Sequence, residues 1–430
     1  MKLADKQNLK IEAIDTQTLV IGCDIGKFQN FVRAVDYRGM EYGKALSFDN
    51  SRNGFESLLN WMTNLQSVTQ KNKIILGVEP TGHYWLPLAE FLRNKTSVQL
   101  VLVNSYHVKR TKEIDDNSPT KNDKKDALVI AKMIKDGRYF VPVTLEGIYS
   151  ELRDVMTRRD DINRMRERVC GHIQVWLDRY FPEFCTVFKS WEGKAALLLL
   201  KHAPLPQQIV ELGAAGVSQI WRQQLKQGVR FNRANDIWAV AKQSVGLTSC
   251  GSFAQYDLRF LLEQYEFFKG QMDAIMAHIQ NLLQSLPEAA AMLSIPGVGE
   301  ITVAGFLAEV GDLKNYTHWR QINRLAGLNL KENSSGLHKG KTTISKRGRP
   351  RLRALLYRCA IMLVAKNPEM KVLHHYLTNR PNNPLKKKQS LIAICGKLIR
   401  MLFALGKKQT SYQANMALGK HRIQQLQLAA

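Results

Sequence analysis

Four carboxylates stand where a charge needs a reason. Asp24 closes the apolar run Leu19-Val20-Ile21-Gly22-Cys23, and Glu79 closes Ile74-Ile75-Leu76-Gly77-Val78. Short apolar runs rich in β-branched residues read as buried strands. A charge at the end of such a strand is costly unless a partner or a cation offsets it. Asp123 and Asp126 lie three apart at the opening of a helical stretch, so they share one helix face. Each acid also has a plain structural reading, as a turn starter after a strand or a favourable charge at a helix N-terminus. As a set they point to metal chemistry. Carboxylate oxygens suit Mg²⁺ or Mn²⁺, and a pair of such ions can stabilise the attacking and leaving oxygens of a phosphodiester.

The charge balance points to the same substrate class. The chain of 430 residues carries 62 Lys and Arg against 37 Asp and Glu, a formal charge of +25. Such an excess attracts polyanions, and nucleic acid leads over an anionic membrane because no basic amphipathic anchor is evident. Residues 331–408 hold 19 basic residues and two acids, Glu332 and Glu369. Within them Lys346, Arg347, Arg349, Arg351 and Arg353 read as a phosphate-contacting patch rather than a merely solvated face. Ile295-Pro296-Gly297-Val298-Gly299 precedes a helical stretch and resembles a helix-hairpin-helix element, with Gly297 and Gly299 placed to hold a phosphate; a tight interhelical turn is the bland alternative.

The elements that must position these residues follow from periodicity. Strands are expected over 18–24, 30–37 and 40–48, the last two joined by the turn Asp36-Tyr37-Arg38-Gly39, then over 73–78 and 98–103. Helices are expected over 54–66, 84–94 and from about 121 to Lys135, giving an α/β domain with sites beyond its strand ends. Asp24 and Glu79 meet there if their strands are neighbours. A long helix is expected over 150–181, where Val155, Ile162, Val169 and Trp176 repeat every seven residues among many arginines. Leu258, Leu261, Tyr265, Phe268, Met272, Ile275, Ile279, Leu282 and Leu286 alternate steps of three and four, the pattern of a coiled-coil seam or a core helix. The two long helices are expected to pair antiparallel. Pro287 is expected to end the second. Further helices are expected over 351–364 and 389–405, separated by a basic linker at 382–388, with a loosely ordered tail after 409.

The domain plan is therefore 1–145 as the α/β domain, 146–288 as a helical region with an uninformative insertion at about 185–255, 289–408 as a mainly helical domain, and 409–430 as the tail. Six scattered cysteines form no Cys-x-x-Cys pair, so reduced, buried thiols are expected rather than zinc or disulfides. No apolar run long enough to span a bilayer is seen, and the polar first ten residues lack a signal-peptide core. A cytoplasmic protein without membrane contact is the expectation.

On these residues the chain resembles the DEDD insertion-sequence transposases, relatives of the Piv-type DNA invertases. The similarity runs through Ile21-Gly22-Cys23-Asp24-Ile25-Gly26-Lys27, Glu79-Pro80-Thr81-Gly82, and Asn122-Asp123-Lys124-Lys125-Asp126-Ala127. It continues through Ile295-Pro296-Gly297-Val298-Gly299, Glu309-Val310-Gly311-Asp312, Ala326-Gly327-Leu328, Ser335-Gly336 and Ile344-Ser345-Lys346-Arg347-Gly348. The resemblance implies an RNase H-fold, RuvC-like first domain in which Asp24, Glu79, Asp123 and Asp126 hold Mg²⁺ or Mn²⁺. It implies Ser335 as a nucleophile that forms a phosphoserine link to DNA, with strands exchanged through a junction-like intermediate. It further implies a homodimer or homotetramer with composite sites and, as in some members, a non-coding bridge RNA that selects target and donor DNA. Two rivals stand beside this transposase or recombinase reading: a RuvC-like nuclease that hydrolyses branched DNA with water, and a non-enzymatic DNA-binding protein.

Overall fold

The structure, a computed structural model, describes residues 3–80, 82–93, 95, 97–115, 123–142, 146–225, 231–249, 251–331, 334–335, 338–340, 342–419 and 424–425. Met1–Thr144 and Leu145–Ala430 form two compact units.

In the first unit, α1 (Leu3–Glu12) leads into β1 (Thr18–Asp24), β2 (Gln29–Val35) and β3 (Glu41–Asp49). Then come α2 (Arg52–Thr69), β4 (Lys73–Val78), α3 (Leu86–Leu92), β5 (Val98–Val103), α4 (Ser105–Asp115), α5 (Asp123–Lys135) and β6 (Tyr139–Phe140). The six strands make one sheet in the order β3-β2-β1-β4-β5-β6. β1 to β3 form an antiparallel meander, whereas β4 and β5 run parallel to β1. The turn before β3 is tied by Asp36, whose Oδ1 accepts from the backbone N–H groups of Arg38, Gly39 and Met40 at 2.9–3.0 Å. Gly39 takes φ +97°, a conformation that favours glycine.

The central strands are covered on both faces, which is why their sequences read as unbroken apolar runs. Leu19, Ile21 and Cys23 pack with Phe55, Leu58 and Met62 of α2 and with Leu88 and Leu92 of α3. Val20, Ile75 and Val101 pack on the opposite face with Val129, Ile130 and Ile134 of α5. Each such fully buried aliphatic side chain contributes about 1.5–3 kcal/mol relative to exposure.

The second unit is mainly helical. α6 (Ile148–Tyr180) is followed by α7 (Phe184–Val187), α8 (Lys194–His202), α9 (Pro206–Gln224), α10 (Phe231–Lys242) and α11 (Gly251–Gln284). Then come α12 (Pro287–Leu293), α13 (Glu300–Val310) and α14 (Trp319–Leu325). Four two-residue strands follow: β7 (Leu330–Lys331), β8 (Ser334–Ser335), β9 (His338–Lys339) and β10 (Thr343–Ile344). α15 (Pro350–Lys366), α16 (Pro368–Asn379), α17 (Lys387–Lys408) and α18 (Ala414–Ala417) complete it.

α6 and α11 lie antiparallel. Trp176 Nε1 donates to the Ala254 carbonyl at 2.9 Å near one end, and His278 Nε2 meets Glu151 Oε1 at 2.9 Å near the other. The stretch at 185–255, mute in the sequence, builds its own core from Phe184, Phe188, Leu199, Ile209, Trp221 and Ile237 against Trp176 and Leu258. A second core joins α12 to α17. There α17, long and apolar enough by composition to cross a membrane, buries Ile394, Leu398, Ile399 and Leu402 within the unit.

Two expectations need correction, and one helix adds to them. Pro287 does not simply stop α11; it is the first residue of α12, where its missing N–H costs nothing. The added helix is α16, between α15 and the expected linker, opened by Asn367, whose side chain accepts from Met370 N at 3.1 Å. The chain after 409 is docked as far as Leu418. Tyr412 N donates to Ser294 Oγ at 2.7 Å, its hydroxyl donates to Glu369 Oε2 at 3.0 Å, and Ala417 is buried.

Candidate functional site

β1 and β4 pair in parallel with Gly22 opposite Gly77 and Cys23 opposite Val78. Asp24 ends β1 and Glu79 directly follows β4, so each carboxylate stands one residue past the last paired positions, Cys23 and Val78. They also emerge on the same face. Side chains alternate along a strand; Val20 and Ile75 face α5, so Asp24 and Glu79 belong to that face too.

Two glycines explain how α5 reaches them. A Cβ on Gly22 would lie 2.0 Å from the Ala127 carbonyl oxygen and 2.4 Å from Ala131 N. A Cβ on Gly77 would lie 2.1 Å from Ile134 Cδ1. α5 therefore crosses directly over a flat, side-chain-free patch of the sheet, two residues before each acid. The Gly-x-acid repeat, Gly22-Cys23-Asp24 and Gly77-Val78-Glu79, is the sequence signal of that helix approach. Asp126, one residue before the carbonyl that Gly22 meets, is 6 % exposed. Its carboxylate pairs with Lys112 of α4, a residue sequence reasoning did not single out. Asp123 begins α5, and its side chain lies outside the described residues.

Beyond Asp24 the chain turns back on a fixed support. Gly26 N donates to Asn30 Oδ1 at 3.0 Å, and Asn30 is fully buried. Among the described residues no three His, Cys, Asp or Glu side chains already form a cation-binding cluster. The donor set fits a hard divalent cation by chemistry, since it is built from carboxylate oxygens.

Ser335 belongs to the second unit. It lies in β8, paired antiparallel with β9 so that Ser335 faces His338; its side chain is outside the described residues. Gly297 adopts φ +90° in the turn between α12 and α13, and Gly299 caps α13. The basic stretch at 346–353 is divided. Its backbone is held against the end of α14: Lys346 N donates to the Gly327 carbonyl at 3.0 Å and Arg349 N to that of Leu325 at 2.7 Å. Lys346 and Arg347 expose their side chains. Arg349 instead donates to the Glu309 carbonyl and carboxylate, and Arg353 to the carbonyls of Ala326 and Lys346 at 3.0 and 3.2 Å. Arg351 donates to Thr157 Oγ1 at 2.8 Å and Asp160 Oδ2 at 2.6 Å.

Comparison with known proteins places both units. A family model for DEDD transposases of the IS110 type, described as "Transposase", matches residues 21–182. A second, described as "Transposase IS116/IS110/IS902 family", matches residues 289–375. The chain is 37% identical over 103 residues to the transposase for insertion sequence element IS1328 of Yersinia enterocolitica, a match covering 23% of this chain and 30% of that protein. It is 25% identical over 327 residues to the mini-circle putative transposase for IS117 of Streptomyces coelicolor, covering 73% and 76%. An uncharacterized 43.6 kDa protein of insertion element IS110, also from Streptomyces coelicolor, is 24% identical over 309 residues, covering 70% and 74%.

Proposed function

The chain belongs to the IS110 family of DEDD transposases, and we propose that it cuts the ends of a mobile element and joins them to target DNA. The observation that supports this reading is the parallel register of β1 and β4, which runs to Cys23 opposite Val78, one residue before Asp24 and Glu79, with α5 packed over Gly22 and Gly77. The meander followed by parallel β4 and β5 supports an RNase H-like, RuvC-type first domain. Asp24, Glu79, Asp123 and Asp126 would hold Mg²⁺ or Mn²⁺, which supplies charge stabilisation to a phosphodiester under attack.

The protein's own groups then divide the work. The Ser335 hydroxyl attacks phosphorus and displaces a sugar oxygen, leaving a phosphoserine ester; a sugar hydroxyl of the recipient strand attacks that ester and releases serine. Bond energy is conserved, so no external energy source is required. Lys112 holds the Asp126 carboxylate in place on the α4 side. Lys346 and Arg347, exposed beside β10, contact backbone phosphates, and the turn at Gly297–Gly299 ahead of α13 acts as a helix-hairpin-helix-like phosphate grip. The antiparallel α6–α11 pair serves as a coiled-coil-like arm for a homodimer or homotetramer. DNA is the substrate, a bridge RNA the guide, and the cytoplasm the place of action.

A denaturing gel of the protein with Mg²⁺ and labelled element-end DNA, with and without element-derived RNA, tests the reading. A protease-sensitive DNA adduct lost in both Ser335→Ala and Asp24→Ala is expected. Free cleaved ends that persist in Ser335→Ala would replace the serine step with hydrolysis by water.

A further inference from the structure

Where α6, α13 and α15 meet, they line a narrow cleft that opens to the surface. The contact is close because α13 carries Gly305 there: a Cβ at that position would lie 2.8 Å from Leu355 Cδ2 and 3.3 Å from Met156 Cε. The charged lining is four arginines, Arg153, Arg159, Arg351 and Arg358, against two carboxylates, Asp160 and Glu309.

Both carboxylates are engaged. Asp160 accepts from Arg159 Nη1 at 3.2 Å and from Arg351 Nη2 at 2.6 Å. Glu309 pairs with Arg349, which stands outside the cleft lining. Arg153 turns to the carbonyls of Ala308 and Glu309 at 3.0 and 3.3 Å. Burial, reinforced by the neighbouring Arg349 charge, holds its guanidinium below the ordinary arginine value. Two donors remain. Arg159 Nε is buried without a hydrogen-bond partner, and Arg358 is exposed and in no ion pair among the described residues. A buried N–H without an acceptor calls for one. Unbalanced positive charge in a cleft concentrates anions there.

We propose that this cleft is a phosphate-binding site that takes one phosphodiester of a nucleic-acid backbone, with Arg159 and Arg358 as its donors. The planar, multi-donor guanidinium matches phosphate oxygens in a way an ammonium does not. A contact of this kind fixes position without reading bases. It would anchor nucleic acid on the helical unit apart from the exposed Lys346–Arg347 pair. The inference rests on the reading of the chain as a nucleic-acid-handling transposase, and DNA and RNA offer the same phosphodiester.

The test is fluorescence anisotropy of the full chain with labelled element-end duplex DNA and, separately, with labelled element-derived RNA across a series of salt concentrations. Arg358→Gln is expected to make the slope of log affinity against log salt shallower by about one with the nucleic acid that occupies the cleft. Arg159→Gln should act in the same direction, and Arg358→Lys should keep the wild-type slope while lowering affinity. The thermal midpoint of Arg358→Gln should equal that of wild type. A shallower slope on DNA alone, on RNA alone, or on both supports the site and names its source. An unchanged slope on both nucleic acids overturns it, as does a loss of affinity that merely follows a lowered thermal midpoint. Wild-type protein that binds neither nucleic acid in a salt-dependent way overturns the functional reading, and this inference with it.

Discussion

Asp24 and Glu79 stand at the ends of two paired parallel strands, whereas Arg349, Arg351 and Arg353 leave one short stretch of chain for three separate partners. In the first case backbone hydrogen bonding sets the geometry, and a period of two fixes the face. In the second, side-chain reach decides, and the partners lie 40 residues away at Glu309 and 191 away at Asp160. Register makes a site that a sequence can announce. Long flexible side chains make one that it cannot.

The largest break in this contrast comes from the strand ends. Asp24→Asn should abolish DNA cleavage in single-turnover assays, by several kcal/mol of lost charge stabilisation and thus on the order of a thousandfold, with the circular dichroism spectrum unchanged. A residual rate near wild type would remove Asp24 from the chemistry. Next in size is the helix approach. Gly22→Ala sets a Cβ against the Ala127 carbonyl, backbone that cannot swing aside, and should lower stability by about 1–3 kcal/mol in urea titrations. Gly77→Ala meets the side chains of Ile134 and Val101 rather than backbone and should cost less. Equal costs would mean that α5 does not rest on β1 as described.

The basic stretch sharpens the comparison from the other side. Arg349→Ala should lower the unfolding free energy read from urea titrations by about 1 kcal/mol through its bonds to Glu309, whereas Arg347→Ala should stay within about 0.5 kcal/mol. Arg347→Ala should instead weaken DNA binding uniformly across sequences and reduce the salt slope by about one. The reverse outcome would exchange their roles. The effect at Asp36 is set apart by its dependence on pH. Burial raises its pKa, but the Met40 backbone N–H, the Arg38 side chain and the Arg38 backbone N–H outweigh it, leaving the carboxyl below the usual aspartate range. Its stabilisation is present above the unfolded-state pKa and is lost as pH falls through the folded one. Asp36→Asn should therefore cost on the order of 1 kcal/mol at neutral pH, and the gap to wild type should close only in acid, below about pH 4.

Those same physical differences explain what could be read beforehand. The buried runs at 18–24, 73–78 and 98–103 were legible because apolar residues stop abruptly at polar ones, and the structure ends β1 at Asp24 and β4 at Val78. α1, α4 and α16 were not, because their stretches are polar or short and their stability comes from distant contacts. Ile11 of α1, for example, packs over Gly137, and Lys10 donates to the Tyr139 carbonyl. Asn367-Pro368 was a readable helix start that the apolar pattern around it obscured. Lys112 could not have been singled out, since nothing along the chain relates it to Asp126.

The insertion between α6 and α11 has a consequence for how the chain finds its fold. Bringing Glu151 to His278 closes a loop of 127 residues, and bringing Trp176 to Ala254 closes one of 78. Closure entropy grows with loop length, but contacts formed inside a loop shorten it. Once α7 to α10 have gathered around Phe184 and Trp221, the ends of α6 and α11 nearest them are already neighbours. The rest of the pair can then close from Trp176 toward Glu151 like a zip, each turn placing the next. The stretch that said least in the sequence would thus act as the nucleus that lets the two longest helices among the described residues meet in register.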